Sequence, residues 1–412
     1  MTSEIAVMNQ RAVAMAADSA VTLIGGGTVV VRNEQRKLFN LMPGQPVGLM
    51  FFGVADIMGH PWDQLIGHYQ KAAKPGHLPH VRDYAAGFTA MLDHLEEFFP
   101  RDRQKDEYKR LLASVFRYVL QFAHYLRQSG EAQGLGDVAT LEQAIALVWR
   151  DYQFLGDGTP RPDLGCFPEG FGQKVRQEHG GLIEELIGYG FATYGLSQQA
   201  QKQLHDIAVF CVVKDLFLED VTGLVFAGFG AEDRYPVVVT WYLSAIVLGI
   251  AKRTEASHDG IDSETKSKIR IFADSEVTTA FIRGIDFNLE RQVYGGFGVM
   301  MQALVDQVVD EFPAEATARE SVRTRFQGEV VPRYLNIFQR MIAEYQQKTF
   351  INPVLRVLEI ATRSELGDTA RELVSLNVFK KRIMAQRETV GGAIDVAVIS
   401  RDDGFQWWPK GS

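Results

Sequence analysis

The chain has 412 residues, of which 46% are hydrophobic and 23% are charged. These proportions are typical of a globular protein and exclude a largely disordered one. The length fits one large α/β domain with insertions, or two domains. With 51 acidic and 43 basic residues the formal net charge is -8, which argues against nucleic acid or an anionic membrane surface as a partner.

The cysteine content and the N-terminal sequence predict the compartment. Only Cys166 and Cys211 occur, which is too few for a disulfide framework in a chain of this length. We expect both to be buried or inert thiols. The first residues lack the pattern of a secretory signal, and no apolar run reaches the roughly 20 residues that span a bilayer. The sequence therefore predicts a soluble, cytoplasmic protein.

The first eighteen residues predict a β-hairpin, in which two short apolar runs flank a polar turn at 8–11. Three glycines at 25–27 indicate a flexible connection before a β-branched run at 28–31. The next strand is predicted at 46–53, where the sequence is continuously apolar. A run of this kind is typical of a strand that is covered on both faces.

From about His60 to about Asp215 the apolar residues recur with helical spacing, and a second helical block is predicted from about Phe287 to Gln386. Further strand-like runs lie at 224–230, 237–243, 245–248, 268–273 and 391–399, with a final short run at 405–408. A sheet system gathered from distant sequence and sandwiched by helices is the simplest arrangement.

Five segments follow from this pattern. We divide the chain into a first core part at 1–58, a helical insertion at 59–215, a second core part at 216–286, a helical block at 287–386 and a closing β-hairpin at 387–412.

Thr2 is a candidate nucleophile because of its place in the chain. An initiator methionine is commonly removed when a small residue follows it, and loss of Met1 leaves Thr2 with a hydroxyl and a free α-amine. An α-amine has an intrinsic pKa of about 7.7 to 8.0, so that near neutral pH it is partly able to accept the hydroxyl proton. Thr2 therefore combines a nucleophile with its own base.

Several segments together resemble the proteasome β-subunit family of N-terminal-nucleophile hydrolases, which includes the peptidase subunit of the bacterial two-component heat-shock protease. The resemblance rests on Thr2 and on residues 16–22, 36–38, 53–56, 273–281 and 391–392. A subgroup of long bacterial proteasome-like proteins with helical insertions is also similar at 227–230 and 388–392. The two helical blocks lie outside the common β-subunit pattern.

The resemblance implies a fold, partners and an activity. The expected fold is α/β, a four-layer αββα sandwich with two large helical insertions. The expected activity is hydrolysis of a peptide or amide bond without cofactor or metal. Proteasome-like proteins form rings, so the resemblance also implies a homo-oligomer. The insertions are predicted to cap a chamber, to prevent ring closure or to dock a partner ATPase.

The resemblance also assigns roles to residues around Thr2. Asp18 matches the aspartate that keeps a lysine charged and oriented, and Lys37 matches that lysine, whose positive charge lowers the proton affinity of the amine. Ser275 matches a serine that hydrogen-bonds near the amine and helps to relay the proton. Ser275 is equally well explained as the N-cap of a helix that begins near Glu276.

The oxyanion of the reaction requires backbone N–H groups at the end of the strand at 46–53. We expect them from Phe52 and Gly53. Asp56, which follows, is expected to cap a helix that enters the insertion rather than to react.

The chain departs from the family at two places. Phe52 stands where active members generally have a glycine, and Arg387 and Val390 stand where the family usually has an aspartate and a serine. Glu388 replaces that aspartate only if the backbone is shifted. Three functions are therefore open: an N-terminal threonine hydrolase, a non-catalytic assembly or scaffold subunit, and a small-molecule amidase whose pocket Phe52 narrows.

Other candidate sites have simpler explanations. His60, His77 and His80 lie near prolines, without a cysteine or carboxylate at metal-ligand spacing, and are predicted to be solvated loop residues. The glycines at 228 and 230 lack the third glycine and the following helix of a dinucleotide site, which favours a β-turn.

Overall fold

The computed structural model describes residues 3–25, 28–32, 35–72, 76–218, 221–273, 276–311, 315–383 and 391–409. The chain divides into two compact units. Unit 1 comprises Met1–Leu38, Arg234–Pro236 and Gly260–Ser412, and unit 2 comprises Phe39–Asp233 and Val237–Asp259.

The strands of both units are numbered in chain order. They are β1 Ser3–Asn9, β2 Ala12–Asp18, β3 Val21–Gly25, β4 Thr28–Arg32, β5 Leu38–Asn40, β6 Val47–Gly53, β7 Asp56–Ile57, β8 His60–Pro61, β9 Thr222–Gly228, β10 Val237–Val247, β11 Ile250–Gly260, β12 Ser267–Ala273, β13 Ile394–Ser400 and β14 Gly404–Trp407.

The helices form two blocks, one between β8 and β9 and one between β12 and β13. They are α1 Trp62–Ala72, α2 Val81–Met91, α3 Arg101–Gln128, α4 Asp137–Gln153, α5 Phe171–Phe191, α6 Gln198–Val213, α7 Glu276–Arg283, α8 Phe287–Glu311, α9 Ala316–Arg325, α10 Val331–Gln346, α11 Asn352–Ile360 and α12 Arg363–Ile383. Of the described helices, none is long and apolar enough to cross a membrane.

Unit 1 contains a five-stranded antiparallel sheet in the order β12-β1-β2-β13-β14. The predicted N-terminal hairpin is confirmed, because β1 pairs with β2 across a turn at Gln10 and Arg11. Every residue of both strands is buried. The sheet therefore joins the first residues of the chain to strands that follow it by more than 250 positions.

Helix α12 packs on this sheet because β2 presents small side chains to it. Ala14 and Ala16 of β2 share an apolar cluster with Leu366, Ala370 and Leu373 of α12. Alternate residues of a strand point to the same face, so the alanines at 12, 14 and 16 let the helix approach closely.

Unit 2 contains a second five-stranded sheet, in the order β11-β10-β9-β6-β5. Strand β6 is buried along its first five residues, as its continuous apolar run predicts. Helix α2 packs on β9 and β10, where Phe88 and Phe226 form an edge-to-face ring pair with centroids 5.8 Å apart. Helices α3 to α6 form a further apolar cluster, which includes Leu112, Val148 and Leu204. The two sheets with their helices confirm the expected α/β fold class.

Local predictions differ from the structure at two places. The two strand-like runs at 237–243 and 245–248 form one strand, β10, and β11 was not predicted because its sequence is mostly polar. Asp56 does not cap a helix: its Oδ1 accepts a hydrogen bond from the backbone N–H of Gly59 at 2.8 Å, inside the β7–β8 turn. The first helix begins at Trp62, directly after β8, close to the predicted start near His60.

The segment from α9 to α11 contains two π-helical turns, at Phe326–Val330 and Gln347–Ile351. Each lies directly before a helix that has a proline in its first turn, Pro332 in α10 and Pro353 in α11. Proline lacks an N–H and its ring crowds the carbonyl four residues earlier. A wider turn at that carbonyl lets the chain continue in a helical conformation.

Candidate functional site

Asp18 connects three segments of unit 1 at the end of β2. Its Oδ1 accepts hydrogen bonds from Lys37 Nζ at 2.7 Å and from the backbone N–H of Ser3 at 3.1 Å. Its Oδ2 accepts one from the backbone N–H of Gly391 at 2.9 Å. Hydrogen bonds of this kind offset the cost of burying a carboxylate. Asp18 thus fixes the start of β1, the lysine and the segment before β13 around one side chain.

Lys37 lies between two carboxylates. Besides Asp18, its Nζ is 3.3 Å from Oε1 of Glu4 on β1, and all three side chains are almost completely buried. Removing an ion from water costs several kcal/mol, which only close pairing and further hydrogen bonds offset. The structure therefore brings the predicted Asp18 and Lys37 into direct contact and adds Glu4 to them. We call Glu4, Asp18 and Lys37 the ion cluster.

A second buried network lies beside the ion cluster. Nδ2 of Asn377, on α12, donates a hydrogen bond to Oγ of Ser3 at 2.7 Å. Oδ1 of Asn377 accepts one from the backbone N–H of Thr278 at 3.3 Å, in the first turn of α7. Thr278 in turn donates from its Oγ1 to the carbonyl oxygen of Leu373 at 3.0 Å. Asn377 therefore ties the beginning of β1 to the beginning of α7.

Two of the predicted catalytic residues lie outside the described residues. These are Thr2 and Ser275, which directly precede Ser3 and Glu276 in the sequence. The departures at Arg387 and Val390, and Glu388 between them, also lie outside. The structure does describe the residues that follow Thr2 and Ser275. Ser3 is hydrogen-bonded to Asp18 and Asn377, and α7 begins at Glu276.

The predicted oxyanion donors, Phe52 and Gly53, end strand β6 in unit 2. Gly53 has a φ of +85°, and a Cβ there would lie 2.2 Å from the carbonyl oxygen of Val221, so only glycine fits. The ring of Phe52 lies over Gly223 of β9, where a Cβ would come within 2.0 Å of it. Phe52 also makes an edge-on contact with Tyr242, at 6.3 Å between ring centroids. Its ring thus has a packing role within unit 2.

The sequence interpretation gave no role to Glu4 or Asn377. Glu4 carried a usable signal, since a glutamate inside an apolar strand that is buried on both faces requires a charged or polar partner. Asn377 carried none, because it is 374 positions from the serine that it contacts and stands in an ordinary amphipathic helix.

The remaining candidates have structural explanations. Cys211 is buried, which raises the pKa of its thiol to about 12, and burial also raises the pKa of Cys166. Both are therefore unreactive thiols near neutral pH. His80 hydrogen-bonds through Nδ1 to Oδ1 of Asp233 at 2.7 Å, and this contact raises the pKa of the histidine. The described residues contain no cluster of three or more histidine, cysteine or acidic side chains with metal-binding geometry.

Comparisons with known proteins give a likeness in structure but no match in sequence. No protein-family model and no curated protein matches the chain. A solved structure of an Anbu (Gly-1) mutant from Hyphomicrobium sp. strain MC1 is 9% identical to it, with 99% of this chain and 85% of that chain covered. The TM-score is 0.28, which is too low to support an argument about function.

Proposed function

We propose that the protein is an N-terminal threonine hydrolase of peptide or amide bonds, active after removal of Met1. The observation that carries this proposal is the ion cluster, in which a buried ammonium and two buried carboxylates lie at the start of β1, directly after Thr2 in sequence. Buried ionic groups are expensive and tend to serve a function where they occur together.

The proposed reaction has two steps. In the first, Thr2 Oγ forms a bond to the substrate carbonyl carbon, while the α-amine of Thr2 takes the hydroxyl proton and passes it to the leaving nitrogen as the C–N bond breaks. In the second, water attacks the resulting ester and releases the acid, and the proton returns to the threonine oxygen. No cofactor or metal enters this scheme.

The ion cluster supports the first step electrostatically. A positive charge on Lys37 disfavours protonation of a nearby amine, so a larger fraction of the amine is free to act as a base. Asp18 and Glu4 pair with Lys37 and restrict its position. Asp18 also holds the backbone N–H of Ser3, the residue next to the proposed nucleophile.

The remaining roles rest on the resemblance alone. Ser275 is proposed to relay the proton, and the N–H groups of Phe52 and Gly53 to bind the oxyanion. The five-segment division of the chain, a homo-oligomer and a partner ATPase belong to the same proposal. A peptide substrate is favoured, and a small-molecule amide is the alternative if the ring of Phe52 narrows the pocket.

The test is covalent labelling at Thr2. A peptide epoxyketone reacts with a terminal residue that has both a free amine and a hydroxyl. Incubation of Met1-free protein should give one adduct by intact mass, located on the N-terminal peptide. The Thr2→Ala variant should give none, and the Thr2→Ser variant, which keeps a hydroxyl, should still react.

Peptide hydrolysis provides the second readout. Asp18→Asn should lower kcat/KM by a factor on the order of 100, because a general-base arrangement of this kind contributes about 10²–10⁴-fold. Met1-free protein that gives neither adduct nor hydrolysis contradicts the proposal. That result would favour the non-catalytic scaffold, and hydrolysis by a Phe52→Gly variant alone would identify Phe52 as the reason.

A further inference from the structure

Helix α8 carries two neighbouring apolar stripes, and the chain buries only one of them. In the first, Val305 and Val309 are buried in a cluster with Val331 of α10. The second is displaced by one residue and recurs every three or four positions, as expected for one face of a helix. It consists of Val293, Phe297, Met300, Leu304 and Val308, and all of these except the half-buried Phe297 are exposed.

Helix α10 repeats this arrangement. Its exposed apolar residues are spaced by three or four positions and lie on one face of the helix. They are Tyr334, Ile337, Met341 and Tyr345, and Met341 is 62% exposed. The rings of Phe297 and Phe338 stack with centroids 4.4 Å apart, so the two exposed stripes meet at this contact. We call the eight exposed residues of the two stripes the α8–α10 face.

Three glycines inside α8 add a second observation. Gly295, Gly296 and Gly298 each cost a helix about 1 kcal/mol relative to alanine. A Cβ at any of them would meet open space in this chain, so no neighbouring side chain requires their small size. Gly296 is four positions before Met300 and lies on the same side of the helix. A bare backbone beside an apolar stripe allows another helix to pack closely against it.

The area of the face fits a protein interface. At roughly half exposure, eight large side chains present on the order of 600–800 Å² of apolar surface, close to the ~800 Å² that each partner contributes to a standard interface. Soluble monomers rarely expose contiguous apolar patches of this size. Because a two-fold pair uses the same patch on both chains, one such face per chain is sufficient.

The charges on α8 and α10 argue against a membrane as the occupant. Helices that lie on membranes carry lysine and arginine on the polar face. The two helices have three basic residues, Arg291, Arg333 and Arg340, and five acidic ones, Glu290, Asp306, Asp310, Glu311 and Glu344. We propose that the α8–α10 face is a self-association surface, through which two copies of this chain pair with two-fold symmetry. The homo-oligomer itself rests on the function proposed above, and this proposal adds its surface and its symmetry. The hydrolase activity is not required for it.

The mass of the full chain in solution tests the proposal. Light scattering should give twice the 46.1 kDa chain mass at micromolar concentration, or a multiple of that pair. The double variant Met300→Glu, Leu304→Glu should fall to half the wild-type mass while keeping its circular dichroism spectrum. The matched control is Tyr189→Glu on α5, since Tyr189 is an equally large apolar residue that is 93% exposed, and it should leave the mass unchanged.

A glycine variant separates association from folding. Gly296→Ala should raise helix stability, because alanine is the better helix former, yet weaken self-association at least tenfold by blocking close approach. Wild-type protein that is monomeric at micromolar concentration overturns the proposal, as does a double variant that keeps the wild-type mass. Cosedimentation with phosphatidylserine vesicles that is lost in the double variant also overturns it, in favour of a membrane.

Discussion

Two buried lysines show how differently the two units accommodate the same side chain. Lys37 in unit 1 is 1% exposed, and its Nζ lies within 3.3 Å of two carboxylates. Lys252 in unit 2 is 3% exposed, and its Nζ donates to the backbone carbonyl oxygens of Cys211, at 2.8 Å, and Leu216. Nζ of Lys252 also lies 4.8 Å from the centroid of the Phe217 ring.

The difference lies in the kind of charge that faces each ammonium. Full negative charges face Lys37, whereas partial charges of carbonyl oxygens and a ring surround Lys252. Burial accordingly lowers the pKa of Lys252 to about 8. Lys252 holds the chain after α6 to the end of that helix, which is a structural task. Lys37 instead pairs with two buried carboxylates, and the proposed function rests on this arrangement.

Replacing Lys37 should destabilise the protein more than replacing Lys252. Lys37→Met leaves two carboxylates buried without their shared cation and should lower the free energy of unfolding by about 3–5 kcal/mol. Lys252→Met, a substitution of similar shape, should cost at most about 1 kcal/mol, the value of ordinary hydrogen bonds, because it leaves no buried charge without a partner. Urea unfolding of the two variants measures both values. Equal losses of stability would show that the two carboxylates hold Lys37 no more strongly than the carbonyl oxygens hold Lys252.

The ion cluster also predicts coupling between its members. The double variant Asp18→Asn, Lys37→Met should be less destabilised than the sum of the single variants by about 1–3 kcal/mol, because each single change leaves the other charge without its partner. Strict additivity in this cycle would argue against a direct pair.

Lys252 should also make the stability of the protein depend on pH. In the folded protein Lys252 releases its proton near pH 8, whereas the unfolded chain keeps it up to the usual lysine pKa of 10.5. Between these values the unfolded state binds more protons, so stability rises with pH. Wild type should gain at most about 3 kcal/mol relative to Lys252→Met across this window. Urea unfolding of wild type and Lys252→Met over this pH range measures the effect. If the difference in their free energies of unfolding stays constant, the prediction is wrong.

The smallest effect concerns the network beside the cluster. Asn377→Leu removes the hydrogen bonds to Ser3 and Thr278 and should destabilise the protein by about 1–2 kcal/mol. Ser3→Ala removes only the hydrogen bond from Asn377 to Ser3 Oγ and should lose less. If thermal unfolding shows equal losses for both variants, the contact with Thr278 does not contribute.

The sequence predicted those features that arise from local pattern. The β1–β2 hairpin follows from two apolar runs and a polar turn, and the helices of unit 2 follow from their spacing. Strand β11 was missed because Ile250–Gly260 is mostly polar, and pairing with β10 rather than its own pattern makes it a strand. The turn role of Asp56 was missed because a capping aspartate looks the same before a turn and before a helix.

Some residues of the candidate site were likewise predicted from the sequence, and others depend on how distant segments pack together. Asp18 and Lys37 were predicted through a family resemblance, and the structure places them 2.7 Å apart. Glu4 was visible as a charge in an apolar strand but had no predicted partner. Asn377 depends on how α12 lies on the sheet, which no local pattern encodes. The roles of Thr2, Ser275, Phe52 and Gly53 stay predictions.

The proposed hydrolase requires Thr2 to be the first residue of the mature chain. The most direct test is the intact mass of the protein purified from its native host, with the N-terminal peptide sequenced by fragmentation. We predict a chain that lacks Met1 and begins at Thr2. A chain that retains Met1 would contradict the proposal, because the α-amine would then belong to the wrong residue.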